Sequence, residues 1–164
     1  NLLAGFLGLE KGEVYFDDKE VTNLSPQARK AAYIYQNYNL YPNLSVKENI
    51  IIGLRIASEK EEFIEKALQK VVDLVKIEEL LDLKVVELTD LQNMKVAMAK
   101  ALIKDPYVLL IDEAFDNIEG REELFELLKK LEVMVIYATK DEEIAKILEG
   151  VIYRIDDGKI EKLS

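Results

Sequence analysis

The sequence predicts an α/β protein with a parallel-sheet core, an inserted helical subdomain and a C-terminal β-hairpin. Three observations predict it. Val108 to Ala114 reads VLLIDEA, four apolar residues running into Asp112-Glu113. That is the pattern of a buried parallel strand delivering two carboxylates to its C-terminal edge, where open α/β sheets place their chemistry. Strand-like and helix-like segments then alternate as far as Ile155, an order that implies parallel strands with right-handed crossovers. Finally, Asp157-Gly158 separates two short runs, a strong local hairpin signal.

In chain order, Leu2 to Leu7 is expected to be a helical segment ending near Gly8, followed by a turn at Gly12. GEVYFDD, with Val14 and Phe16 alternating, reads as a half-exposed strand. Ser25-Pro26 in TNLSPQARK predicts a short helix, because proline is pre-organised for the first helical position. Ala32 to Tyr35 is a buried strand, and Gln36 opens a loop through Tyr38, Tyr41 and Pro42. Asn43 to Leu54 is a helix with a capping box, Ser45 and Glu48.

Ser58 with Glu61 offers another box, opening a helix to Val75 whose apolar face carries Phe63, Ala67, Leu68, Val71, Val72 and Val75. Ile77 to Leu83 is a short apolar helix, and Leu91 to Ile103 a longer one capped by Thr89 or Asp90. These helices form a subdomain at 46–103, inserted between core segments 1–45 and 104–164 of a single domain. Asp105-Pro106 breaks the chain before the acidic strand. Arg121 to Leu131 is a helix, Val133 to Ala138 a buried strand, Asp141 to Leu148 a helix and Val151 to Ile155 a strand. Lys159 to Leu163 completes the hairpin.

Composition limits the chemistry. The chain has 164 residues, 49% hydrophobic and 33% charged, enough for one domain with a sizeable core. Its net charge of −10, without a basic cluster, argues against a nucleic-acid partner. It contains no Cys, His or Trp, which excludes disulfides, thiolate or imidazole metal sites and Ser-His-Asp catalysis. No apolar run approaches the ~18 to 20 residues of a membrane span and no signal peptide is read, so no direct membrane insertion is expected and the cytoplasm is the expected compartment.

A carboxylate pair beside a dry sheet suits Mg²⁺ and a hydrolytic water, the first Asp holding the ion and the Glu polarising the nucleophile. A plain acidic loop after a strand reads the same way. The surroundings favour the first reading. Tyr33 to Ile50 reads YIYQNYNLYPNLSVKENI, Glu87 to Leu102 reads ELTDLQNMKVAMAKAL, and Val135 to Asp141 reads VIYATKD. With VLLIDEA between them, these blocks resemble the ATP-binding cassette (ABC) family, most closely the ATPase subunits of sugar-type importers. The resemblance covers essentially the whole chain.

It implies a P-loop-NTPase-like core, Mg-ATP as cofactor, and a membrane permease and a second ATPase subunit as partners, with the chain peripheral to the inner membrane. It places Gln36 on the Q-loop, sensing the γ-phosphate and, with Asp112, holding Mg²⁺. Thr89, Asp90, Leu91 and Gln92 fall on the LSGGQ signature, Asp112 and Glu113 on Walker B, Asp116 to Glu119 on the D-loop. Lys140 falls on the switch histidine, giving Glu113 and Lys140 as the catalytic candidates.

Several departures stand against that assignment. The phosphate loop G-x-x-x-x-G-K-[ST] is not in the sequence, and in register with the family Asn1 lies a few residues beyond it. Nothing evident then cradles the β- and γ-phosphates. LSGGQ has become LTDLQ: Leu91 adds a side chain where close approach is needed and Asp90 a charge. At roughly 4 Å and an effective dielectric near 20, that repulsion is on the order of 4 kcal/mol per unit charge. Lys140 cannot reproduce a neutral ring.

The strand preceding that loop in the family is also absent, which predicts an unfilled slot in the sheet. Closure, with Val151 to Ile155 moving beside Val133 to Ala138, is the expected remedy; a complementing strand or a second copy is the alternative. Three functions remain open: an ABC-type ATP-binding subunit or truncated derivative, inactive by itself; a non-catalytic interaction or regulatory module; or an engineered α/β scaffold.

Overall fold

The computed structural model describes residues 1–163. Its main sheet has three parallel strands, β3 (Ala31–Ile34), β4 (Val108–Asp112) and β5 (Met134–Ala138), in the order β3-β4-β5. Ala31 pairs with Val108 and Val108 with Met134, so the strands run in register to a common C-terminal edge. β4 is central, and its four apolar residues are buried while Asp112 emerges. Leu109 and Ile111 enter the main core, and Val108 and Leu110 a smaller cluster on the opposite face, so the continuous apolar run serves both faces.

Two short antiparallel pairs flank this sheet. β1 (Tyr15–Phe16) pairs with β2 (Lys19–Glu20), and β6 (Tyr153–Asp156) with β7 (Lys159–Lys162). Asp157 and Gly158 both have positive φ, 47° and 73°, as the expected tight hairpin turn requires.

Between β3 and β4 the chain inserts α1 (Val46–Ile56), α2 (Glu61–Val75) and α3 (Asp90–Leu102), joined by 3₁₀ turns at Glu78–Leu80 and Val85–Glu87. The Ser45–Glu48 capping box forms as expected, with Glu48 N–H donating to Ser45 Oγ and Ser45 N–H to Glu48 Oε2. α2 buries Ile64, Leu68, Val71, Val72 and Val75, each worth roughly 1.5 to 3 kcal/mol on burial. Two further helices, α4 (Glu122–Leu128) and α5 (Glu142–Ile147), flank β5 in sequence.

Several expectations are corrected. Leu2 to Leu7 forms a turn, not a helix, closed by Gly5 N–H to Leu2 O. The buried Arg29 organises that turn: its guanidinium donates to the carbonyls of Leu2, Leu3, Thr22 and Leu24. Gly5 is required there, because a Cβ would lie 2.7 Å from Arg29 Nε. The Ser25-Pro26 segment makes one turn, ended by the left-handed Lys30 so that the chain can enter β3.

Ser58 does not cap α2. It sits at φ 58° in a Schellman-type stop of α1, with Glu59 N–H reaching back to Leu54 O, and Lys60 precedes α2 without a side-chain cap. Phe63 is exposed and Ile64 takes the core position, while Ile77 to Leu83 shortens to the 3₁₀ turn. β5 is not buried on both faces, since Met134 and Ile136 are exposed.

Among the described residues the expected closure of the sheet does not occur: β6 pairs only with β7, and a cleft of ≈ 190 Å³ separates Val135 and Tyr137 of β5 from Gly150–Ile152. Val151 to Ile155 therefore adds no strand to a βαβαβ sheet. The hairpin satisfies β6 locally, and among the described residues the outer edge of β5 has no strand partner.

The loop entering α1 is fixed by Asn49, which is fully buried. Its Oδ1 accepts from Tyr41 N–H at 2.7 Å, and its Nδ2 donates to the carbonyls of Tyr41, Leu44 and Ser45. Asn49→Ala leaves Tyr41 N–H and Leu44 O without these partners and is expected to cost about 2 to 4 kcal/mol. The check is a urea titration, in which the midpoint falls while the slope is unchanged.

Candidate functional site at the edge of the sheet

Asp112 reaches solvent because β4 ends there. Its Oδ2 accepts a hydrogen bond of 2.8 Å from Tyr33 Oη, one strand over. Burial, then the bond to Asp112, push the Tyr33 phenol up to about 12. The Tyr33 ring lies 4.4 Å from Tyr35, and Phe6 meets it edge-on at 6.1 Å. Tyr33, Tyr35, Gln36, Asn37, Asp112 and Glu113 together line an open cleft of ≈ 570 Å³.

Glu113 turns away from the strand at φ 50°, its N–H held by Ala138 O at 2.9 Å. Both carboxylate oxygens meet Lys140 Nζ, at 2.8 and 3.2 Å. The exposed Lys140 ammonium has its pKa raised, first by that hydrogen bond and then by the charge of Glu113. The two catalytic candidates are thus brought together, bound to each other.

Below them, Asp116 accepts from Tyr137 Oη and Thr139 Oγ1, both at 2.9 Å, and its carbonyl accepts from Arg121. Tyr137 in turn accepts from Phe115 N–H. Burial, then the bond to Asp116, raise the Tyr137 phenol well above the ordinary tyrosine value. This network fixes the loop after β4 to the end of β5.

The second group of candidates lies apart. Thr89, Asp90, Leu91 and Gln92 begin α3 and none lines the cleft. Thr89 is the cap: Gln92 N–H donates to Thr89 Oγ1 at 3.3 Å, and Thr89 N–H to Gln92 Oε1 at 2.9 Å. Gln92 is therefore engaged with its own helix. Leu91 packs towards Gly120, where a Cβ would come within 3.3 Å of Leu91 Cδ2. Asp90 neighbours Tyr38, whose phenol is pushed up to about 12 by burial and then by that carboxylate.

Mg-ATP needs hard oxygens for the ion and cationic or N–H groups for the phosphates. Asp112, Glu113 and the Gln36 amide supply oxygens. No cation lines the cleft, and the neighbouring ammonium of Lys140 is bound to Glu113. Among the described residues no group of three or more His, Cys, Asp or Glu side chains is arranged to hold a metal. The cleft as it stands does not fit Mg-ATP.

Sequence reasoning missed Tyr33, Tyr137 and Thr139. The signal was present: Tyr33 and Tyr137 stand on strands adjacent to the acidic one, and parallel register brings their ends to the acidic edge. In an absorbance titration of the eight tyrosines, Tyr33, Tyr38 and Tyr137 should ionise well above the ordinary phenol value. Because these groups hold their protons more tightly folded than unfolded, stability should be intact below pH ~10 and fall as pH rises through 10 towards 12. Eight tyrosines ionising together near 10, with flat stability, would contradict this network.

The chain is similar to known proteins along its length. The profile described as ABC transporter matches residues 1–116. The sn-glycerol-3-phosphate import ATP-binding protein UgpC of Roseobacter denitrificans is 32% identical over 99% of this chain and 47% of its own length. The oligosaccharides import ATP-binding protein MsmX of Bacillus subtilis is 31% identical over 99% of this chain and 46% of its own. The chain thus spans about half the length of the curated relatives it matches. A solved structure, the ATP-binding cassette MJ0796 as a post-hydrolysis dimer bound to ADP and Pi, superposes with a TM-score of 0.79 at 26% identity. It covers all of this chain and 78% of that one. Fold, family profile and relatives agree, and the chain belongs to the ABC transporter family.

Proposed function

We propose that this protein is the ATP-binding subunit of an ABC importer, or a derivative of one, and that the isolated chain neither binds ATP tightly nor hydrolyses it. The observation that carries the second half is the Glu113–Lys140 ion pair beside a cleft whose lining residues include no cation. The glutamate that would polarise water is bound to a lysine of the same chain, and Asp112 is held by Tyr33. At α3, Asp90 and Leu91 oppose the close approach of a nucleotide from a second subunit, and the Thr89–Gln92 capping box is self-contained.

By family membership the expected partners are a membrane permease and a second ATPase subunit, with the chain at the cytoplasmic face of the membrane. In keeping with this, no described helix is long and apolar enough to cross a bilayer. The residues proposed for Mg²⁺ in a completed site are Asp112 and Gln36, with Glu113 as the group that orients water.

Calorimetric titration with Mg²⁺-ATP tests the proposal directly. No heat is expected up to millimolar nucleotide. Micromolar binding, lost in Asp112→Asn, would overturn it and make the cleft a working site.

The open edge of β5 favours a second reading, a non-catalytic module completed by a strand from another polypeptide or by a second copy. Exposed edges recruit such partners. Under this reading the amides of Met134–Ala138 gain hydrogen-exchange protection when the partner is added. A monomer whose β5 amides stay equally exposed with every candidate partner would count against it.

A further inference from the structure

The loop carrying Gln36 bends through two consecutive left-handed residues, Tyr38 at φ 60° and Asn39 at φ 50°. Residues with a Cβ rarely adopt this conformation, and it persists only where the surroundings enforce it. The enforcing group comes from the last turn of α3. Lys100 Nζ donates to Asn39 O at 2.7 Å and lies 4.3 Å from the centre of the Tyr41 ring. Tyr41 is itself clamped by the buried Asn49.

Lys100 is an expensive way to fill this position. Its ammonium is partly withdrawn from water, which lowers its pKa, and no carboxylate is within ion-pairing distance among the described residues. A methionine would cover the same apolar surface without desolvating a charge. What only a cation with N–H donors supplies is the pair of contacts it makes, a charge-assisted bond to a strained carbonyl and a cation–π contact.

The loop also touches the other end of the same helix, where Tyr38 packs beside Asp90. Ten residues of α-helix separate Asp90 from Lys100, about 15 Å. The long side chains of Tyr38 and Lys100 thus connect this loop to both ends of α3.

We propose that Lys100 is a positioning residue: it fixes the Gln36 loop to α3, so that loop and helix move as one unit and displacement of the loop reaches the Thr89–Gln92 end. The proposal rests on the reading of Gln36 as a site residue, but it concerns the chain without nucleotide. It can therefore fail while the functional proposal stands, and the reverse.

The test is hydrogen exchange of the full chain, comparing wild type with Lys100→Met, Lys100→Arg and Tyr41→Leu. Lys100→Met should raise exchange at residues 37–42 by about tenfold, the size expected for losing one charge-assisted bond and one cation–π contact. The α3 interior, Met94 to Ala99, should not change. Lys100→Arg should restore most of the protection, and Tyr41→Leu, which leaves α3 untouched, should lose part of it. Exchange at the Thr89 and Gln92 amides should also rise in Lys100→Met, an effect at the far end of α3 that a local packing role would not produce. Unchanged exchange at 37–42, an equal rise throughout α1 and α3, or unchanged Thr89 and Gln92 amides would overturn the proposal.

Discussion

Strand β4 is the constraint on which the rest of the molecule depends. It is the one strand of the main sheet paired on both sides, and its side chains are buried on both faces. Its position fixes Asp112 and Glu113, the two residues around which everything polar at this edge is arranged. Tyr33 can reach Asp112 only because β3 runs parallel to β4 in a register that ends both strands together. Lys140 can reach Glu113 only because β5 ends at the same level on the other side.

This arrangement gives the edge its chemical character. Each carboxylate is answered by a group on a neighbouring strand or the loop that leaves it, so charge is balanced within the chain. A phenol and an ammonium are adequate partners for anions. The same economy governs the start of α3, where Thr89 and Gln92 satisfy each other across the capping box. The family fold is retained, and the polar groups at this edge are paired with one another within the chain.

Most of the framework was legible because it rests on local signals. The apolar run of β4, the Ser45 and Thr89 caps and the Asp157-Gly158 turn each announce themselves within a few residues. The failures came where a distant group decided the outcome. Leu2 to Leu7 and the segment after Pro26 have helical character, but Arg29 binds carbonyls of both neighbourhoods and holds them as turns. Ser58 looks like a helix start until the Schellman stop of α1 claims it. At the site, the carboxylates could be read from sequence and their partners could not, because Tyr33 and Lys140 are joined to them only through the sheet.

The three-helix insertion has a consequence for the order in which the molecule can assemble. β3 and β4 flank the whole of it, so pairing them directly from an extended chain means closing one of the longest loops in the protein before any reward is gained. The helices pack largely on one another and carry their own buried face, so they can collapse first and draw the two strand ends together. The insertion would then act as a built-in tether that shortens the search for the parallel pair. On that route the acidic edge is among the last features to form, created only when a strand far along the chain slides in beside Tyr33.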